Sequence, residues 1–566
     1  MLFNNNKIII PFLLSLTYFF NNINVILTLD YTPYYFHFLK KTIYFSGKFY
    51  LGLYLLSEIN IFLKNYFIII LFFISAILAT HYITKLTKHK HLMTLIYLFN
   101  PFVYSKIMVG QLGILVAYLL LPTVIYYTQK FIENKNKKTL LKLALAFTFA
   151  SSFSIHFLII NAIIIITYYI YHVTEKRNLK LDLKLATLGI IIIILLNIFW
   201  LQGFLLKDNN TLSSIDSSHE QFFTPKLSHN VPTIAKIMGM WGFWREASYI
   251  TTYKTLPLPL WYLLLIMFVA TMLIGYYTKK DDKKEGKKVK FFYTLWWIGL
   301  ILATGISHPW TAPIFDFLFK YLPFFKGFRD SHKFVIFIAL AYATLCPIGI
   351  YWVRDRIKNL LPKKRRIIIK FLHYAIPLLF IIGIITFTYP LIGLWGQIKP
   401  CDYPDSYQQT NSFLESNNLT GHVIYLPWEG YLTYNWTLGC SPDGRIATPI
   451  NKIVKPIIQT SPGQWGRKTE FKNNISNCLA QKNTSCLKSQ NVQYILKDRC
   501  ALYPYNYDWL NQTPVYNDSC IEIHELTPSK QIDRSIHVPI RFIIGSVISI
   551  ITLIGMIIYL ILNRKH

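Results

Sequence analysis

Apolar positions in this chain do not alternate over most of its length; they run on. Stretches of mostly apolar residues recur between short polar loops, and roughly 20 such residues let an α-helix cross a bilayer. About twelve spans are predicted: 8–28, 65–84, 92–109, 112–130, 140–154, 156–173, 185–206, 257–278, 291–306, 333–353, 367–394 and 538–562. Between the last two the pattern changes. Residues 396–536 are polar, with short strand-like runs at "HVIYLPW" (422–428), "NVQYILK" (491–497) and "CIEIHEL" (520–526). The predicted architecture is therefore an all-α polytopic membrane body, 1–395, with outer loops 29–64, 207–256 and 307–332. A small disulfide-linked α/β domain, 396–536, and a last transmembrane helix within 537–566 complete it.

Composition agrees with that pattern. Of 566 residues, 53% are hydrophobic and only 15% charged, which suits a membrane protein and not a soluble one. The net charge of +31 raises the question of nucleic acid. Much of it lies in short loops: Lys85, Lys88 and Lys90; Lys135, Lys137 and Lys138; Lys176, Arg177, Lys180 and Lys184; 279–290; 354–366; Arg564 and Lys565. Loops rich in Lys and Arg stay on the cytoplasmic side. With the N-terminus inside, near Lys7, every one of these loops falls inside. The charge then describes topology, with no nucleic-acid partner. The chain is expected in the plasma membrane, multi-pass, with 396–536 extracytoplasmic. The first span lacks a small-residue cleavage site, runs into "LTLDYTPYY" and reads as a retained helix. The amphipathic stretch "FYLGLYLLSEINIFLKNY" after it suits an interfacial helix.

Cysteines follow the same division. Cys401, Cys440, Cys478, Cys486, Cys500 and Cys520 lie in the outer domain, and Cys346 lies in a span. Six clustered cysteines predict three disulfides, with local pairing favouring Cys478–Cys486 and Cys500–Cys520 and leaving Cys401–Cys440. There is no CxxC, so zinc is not expected. Sequons at Asn209, Asn418, Asn435, Asn474, Asn483, Asn511 and Asn517 all fall outside on this topology.

Several residues could carry chemistry. Asp30 ends the first span in an aromatic, apolar neighbourhood, where a carboxylate rises in pKa and can act as a base. "KGFRDSHKF" (326–334) sits at the start of the span 333–353. Helix starts favour anions, so Arg329, His332 and Lys333 there suit a phosphate; the plainer reading is an Arg329–Asp330 pair with Lys333 as a membrane anchor. "GMWGFWREASY" places Trp241, Trp244, Arg245 and Glu246 in the loop 207–256, as an interface belt or part of a sugar-phosphate pocket. His156 reads as a satisfied turn residue. Trp428, Trp436, Trp465 and Trp509 read as core aromatics before a sugar-stacking platform. No GxGxxG, P-loop, HExxH or GxSxG occurs, so no cofactor is implied and a substrate must bring its own activation energy.

Two segments carry a resemblance. "YLFNPFVYSKIMVGQLGILVAYLLLPTVIYY" (97–127) and "YLPFFKGFRDSHKFVIFIALAYATL" (321–345) resemble segments of GT-C-type polytopic membrane glycosyltransferases. "NVQYILK" resembles a strand of their YfhO-like branch, with the cell-envelope arabinofuranosyltransferases as more distant relatives. The resemblance implies inverting glycosyl transfer on the extracytoplasmic face. The donor would be a polyprenyl-phosphate sugar and the acceptor an envelope glycan, glycolipid or glycoprotein. Asp30 then matches the acidic residue of the first outer loop, and the cluster 326–333 would hold the lipid phosphate. Many GT-C enzymes carry an acidic pair there, whereas Tyr31 follows Asp30. Asp330 or Glu246 would supply the second carboxylate that a divalent metal needs. The competing classes are a lipid or solute transporter and a non-catalytic envelope scaffold.

Overall fold

The computed structural model describes residues 25–26, 61–172, 179–205, 215, 217–322, 324–360, 366–401, 404–417, 421–440, 444–447, 457–458, 470–503, 509–510, 513–526 and 540–563. Asp30, Tyr31, Lys7 and Trp465, and most of the first span and loop 29–64, lie outside them. The helical body comprises α1 (Ile61–Leu86), α2 (Lys90–Leu98), α3 (Pro101–Met108), α4 (Leu112–Asn134), α5 (Lys137–Phe153), α6 (His156–His172), α7 (Leu179–Leu205), α8 (Leu258–Lys279), α9 (Gly286–Thr304), α10 (Ala312–Tyr321), α11 (Val335–Leu360), α12 (Arg366–Phe387) and α13 (Ile540–Leu562).

Twelve spans were expected. Among the described residues six helices are long and apolar enough to cross a membrane, or up to seven if α12 and the turn of helix that follows it at a 44° bend form one. The chain is a multi-pass membrane protein. The main departure is 92–109, which is two short helices. Asn100 caps α3, accepting from Val103 N at 3.1 Å, while its amide donates back to the Tyr97 carbonyl at 2.7 Å. Pro101 at the first helical position cannot donate to the turn before it, so the apolar run breaks there. A second departure is at the end of the expected first span. Val25 and Ile26 form a two-residue strand, β1, antiparallel to β2 (Pro400–Cys401), as suits two β-branched residues.

Helix α11 is the hub. The most apolar 18-residue stretch of Ser331–Leu360 is 89% buried, whereas that of Ile540–Leu562 at the periphery is 17% buried. Two glycines let α8 lie against the hub. A Cβ at Gly275 would collide with the Leu345 carbonyl, and one at Gly349 with that of Thr271.

The ends of the bundle are chemically distinct. Lys88 pairs with Glu285 at 3.5 Å, Lys288 bonds the Leu86 carbonyl, and Lys138 bonds the Asn563 carbonyl at 2.9 Å. The Tyr82–Tyr127 hydrogen bond of 3.0 Å aligns the ends of α1 and α4. The loops around 85–90, 135–138 and 280–290 thus share one end, as the basic-loop pattern requires. At the other end His156 bonds the Gly327 carbonyl at 2.8 Å and Ser331 that of Ala303 at 2.8 Å.

The polar segment forms a five-stranded sheet, ordered β6 (Ile457–Ile458), β3 (His422–Leu426), β7 (Val492–Asp498), β9 (Ile521–Glu525), β8 (Tyr516–Asn517). Strand β3 runs parallel to β6 and β7, and β9 antiparallel to β7 and β8. Alternate side chains of β3 enter opposite cores: Val423 and Tyr425 on one face, Ile424 and Leu426 on the other. A hairpin of β4 (Tyr431–Thr433) and β5 (Arg445–Ala447) stands beside the sheet. The three disulfides are Cys401–Cys440, Cys478–Cys486 and Cys500–Cys520, and Cys346 is free and buried. Trp428, Trp436 and Trp509 pack in or against the two cores, with Trp428 donating to Ser476 at 2.9 Å.

Candidate functional site at the helix mouth

The end away from the basic loops draws together three segments that the sequence holds far apart. From α3 comes Lys106; from the turn before α11 come Arg329, Asp330, His332 and Lys333; from the loop after α7 come Phe243, Trp244, Arg245 and Glu246. Asp330 lies at the centre. Its carboxylate is 3.0 Å from the Lys333 ammonium and 3.5 Å from that of Lys106, and all three side chains are buried. Burial alone would raise this carboxyl. The two ammoniums outweigh it and hold Asp330 well below the usual carboxylate range. The Lys106 ammonium also sits 4.2 Å over the Phe243 ring. His332 is enclosed between Phe102 and Phe243, centroids 5.7 and 5.6 Å away, behind the mouth.

Arg329 and Arg245 flank one aromatic stack. Arg329 lies 4.7 Å over Phe223, Phe223 meets Trp244 edge-on at 4.9 Å, and Arg245 lies 5.9 Å over Trp244. Arg245 also donates to Ser248 at 3.1 Å. Both guanidiniums are half-buried. Among the described contacts Asp330 pairs with the two lysines, and its charge also reaches Arg329.

Glu246 is a holding group. Its carboxylate accepts from Gly242 N, from Phe243 N at 3.1 Å and from the Tyr253 hydroxyl at 2.7 Å, and lies 3.7 Å from the Lys236 ammonium. These contacts fold 241–253 into a compact turn. Gln397, at the end of the helical turn Tyr389–Gly396 that follows α12, ties the turn 241–253 to α3 by accepting from Ile250 N at 2.8 Å and donating to the Tyr104 hydroxyl at 2.7 Å. Both ring nitrogens of His156 are engaged, one with Ser154 at 2.9 Å and one with Gly327 at 2.8 Å, so it fixes the turn 326–333.

Two buried charged residues, one in the site and one on the short helix that carries Phe223, stand out only in the structure. Lys106 was inside a quoted motif, and its signal was available: a lone lysine in an apolar run must find a partner. Glu220 had no such signal. It lies one helical turn before Phe223 and is buried; burial, reinforced by Asp316, pushes its carboxyl up to about 7, against the pull of Lys320. A carboxylate in that range can accept a proton near neutral pH. The described residues do not fit a divalent ion: Asp330 is wedged between ammoniums, Glu246 is bonded to amides, and no three His, Cys, Asp or Glu side chains gather among them.

The whole arrangement can be set beside known structures. The chain shares its fold with a mycobacterial arabinofuranosyltransferase. It matches the cryo-EM structure of arabinofuranosyltransferase AftD from Mycobacteria over 88% of its length, with a TM-score of 0.57 and 10% identity. A structure of a mutant of that protein matches over 93%, with a TM-score of 0.56 and 10% identity. The chain spans only 35% and 42% of those proteins. The likeness is one of fold and does not reach to the YfhO-like branch. No protein-family model matches the sequence, and no curated protein matches it.

Proposed function

We propose that this chain is a GT-C-type glycosyltransferase. It takes a sugar from a polyprenyl-phosphate donor and transfers it, with inversion, to an envelope glycan, glycolipid or glycoprotein. The observation that carries this is the mouth itself, where Arg329 and Arg245 flank an aromatic stack in front of the buried Lys106–Asp330–Lys333 cluster. A lipid phosphate arriving from the bilayer would meet the guanidiniums first, with the ammonium charges behind them. On this proposal residues 396–536 lie outside the plasma membrane and the chain stands in the YfhO-like branch.

The chemistry is a displacement. The acceptor hydroxyl oxygen attacks the anomeric carbon, the bond from that carbon to the phosphate oxygen breaks, and the phosphate leaves with the electron pair. Arg329 strengthens its hold as charge collects on the leaving phosphate. The hydroxyl proton passes to a carboxylate on the opposite side of the ring. Asp330 and Glu246 are committed to ammonium and amide partners, which suits positioning and not proton transfer. Asp30 remains the base that the sequence favours, with the buried Glu220 as a second candidate.

The test is transfer from a purified polyprenyl-phosphate sugar to acceptor glycan in nanodiscs. Asp30→Asn is expected to keep donor binding and lower turnover by about 10²–10⁴. A dead Glu220→Gln beside an active Asp30→Asn would move the base to Glu220. No transfer by the parent from any polyprenyl donor would return the chain to a transporter or scaffold.

A further inference from the structure

The opposite end of the bundle holds a second feature that glycosyl transfer does not use. A cavity of ≈ 350 Å³ lies between the end of α1, the loop to α2, the start of α9 and the middle of α11. Its wall carries three lysines, Lys85, Lys88 and Lys288, against one acid, Glu285, a sum of +2. We infer that this cavity is a binding site for a phosphate group.

The lysines approach from different directions. Lys288 rises from the first turn of α9 and donates to the Leu86 carbonyl, which holds its ammonium against the end of α1. Lys85 lies 5.2 Å over both the Tyr82 and Tyr126 rings. Lys88 is 69% exposed and 3.5 Å from Glu285, at the rim. One helix start adds to the field: α2 begins after His89, which lines the cavity, no side chain caps that start and its first turn carries no acid, whereas α9 starts at the acid Glu285 with the Asp282 carboxylate on its preceding amides. Amide groups at helix starts and lysine point charges are what phosphate sites are made of. The volume suits a phosphate with a small polar head.

The shared chemistry is the phosphate, which an anionic lipid headgroup or a soluble phosphate compound could bring. A basic cavity between transmembrane helices at the basic end favours the lipid. This proposal does not rest on glycosyl transfer at the mouth.

The experiment uses the full chain in phosphatidylcholine nanodiscs. Thermal unfolding is followed against added phosphatidylglycerol and, separately, against inorganic phosphate. A saturable rise in Tm is expected, with the affinity lowered about tenfold in both Lys288→Gln and Lys88→Glu. Lys88 is at the rim, so Lys88→Glu should melt like the parent without ligand and so report on binding alone. A rise with phosphatidylglycerol only assigns the site to lipid, and a rise with inorganic phosphate as well assigns it to a soluble compound. No saturable rise with either, or rises that both variants leave intact, would overturn the proposal.

Discussion

The helical mouth and the sheet domain each bury one aspartate, and the two behave in opposite ways. Asp330 sits between two ammoniums and is held below the usual carboxylate range. Asp498, at the end of β7, is just as enclosed, but its partners are neutral. It accepts from the hydroxyls of Tyr407 at 2.8 Å and Tyr425, and from Cys500 N at 2.9 Å. Burial wins there, and the carboxyl is pushed up to about 6 against those hydrogen bonds. Equal burial therefore does not decide the charge state; the charge of the partner does. The mouth stabilises a buried carboxylate ion, and the neutral partners of Asp498 leave its ion penalised by burial.

The largest way to break this comparison is Asp330→Asn. It leaves two buried ammoniums facing an amide and should cost about 3–5 kcal/mol, read by thermal unfolding in nanodiscs. Its pH signature follows from the lowered pKa. The stabilisation is present above the unfolded value of about 4 and is lost only as pH falls below it, so the penalty should be flat from pH 5 to 8. A penalty under about 1 kcal/mol would mean the lysines are neutralised otherwise.

Asp498 predicts the reverse slope. The folded carboxyl keeps its proton to about 6. An unfolded aspartate loses its proton at about 4, so sheet stability should fall as pH rises between these values and level off above them. The span is on the order of 3 kcal/mol. Hydrogen exchange at the β7 amides of the full chain, corrected for intrinsic rates, reads it. Asp498→Asn should remove the slope, and a slope that survives would place the titration elsewhere.

A third variant sharpens what the mouth is for. Arg329→Ala should weaken donor binding by about 1–3 kcal/mol, and Lys326→Ala by less, because the guanidinium can bind a phosphate in two places. Equal affinities in a lipid-phosphate titration would return the cluster to a membrane anchor. The smallest effect is expected at Lys320, whose pair with Asp316 at 2.6 Å is largely solvent-exposed. Lys320→Ala should leave the same melts almost unchanged.

Much of this was legible in the sequence, and for local reasons. Helix positions followed from the length of apolar runs, because a run that buries all its backbone polar groups in lipid has few alternatives. The pairs Cys478–Cys486 and Cys500–Cys520 span 8 and 20 residues, close enough for spacing to favour them. Strands β3, β7 and β9 lie where the strand-like runs placed them. The break at Asn100–Pro101 was equally local, and an apolar count passes over it because capping and a missing N–H are not hydropathy.

Only the tertiary structure decided what the charges do. Lys106 and Asp330 are 224 residues apart, and nothing in either neighbourhood names the other. Glu246 reads in the sequence as a possible second carboxylate, and only the turn 241–253 closes amides and a tyrosine around it. Glu220 and Asp498 gain raised carboxyls only from what packs over them. Hydrophobic run length is a property of neighbours in the chain, so the sequence located most of the long described helices, though not how many of them are long enough to span. The protonation and partner of a buried charge depend on groups brought near in space, which chain order does not contain.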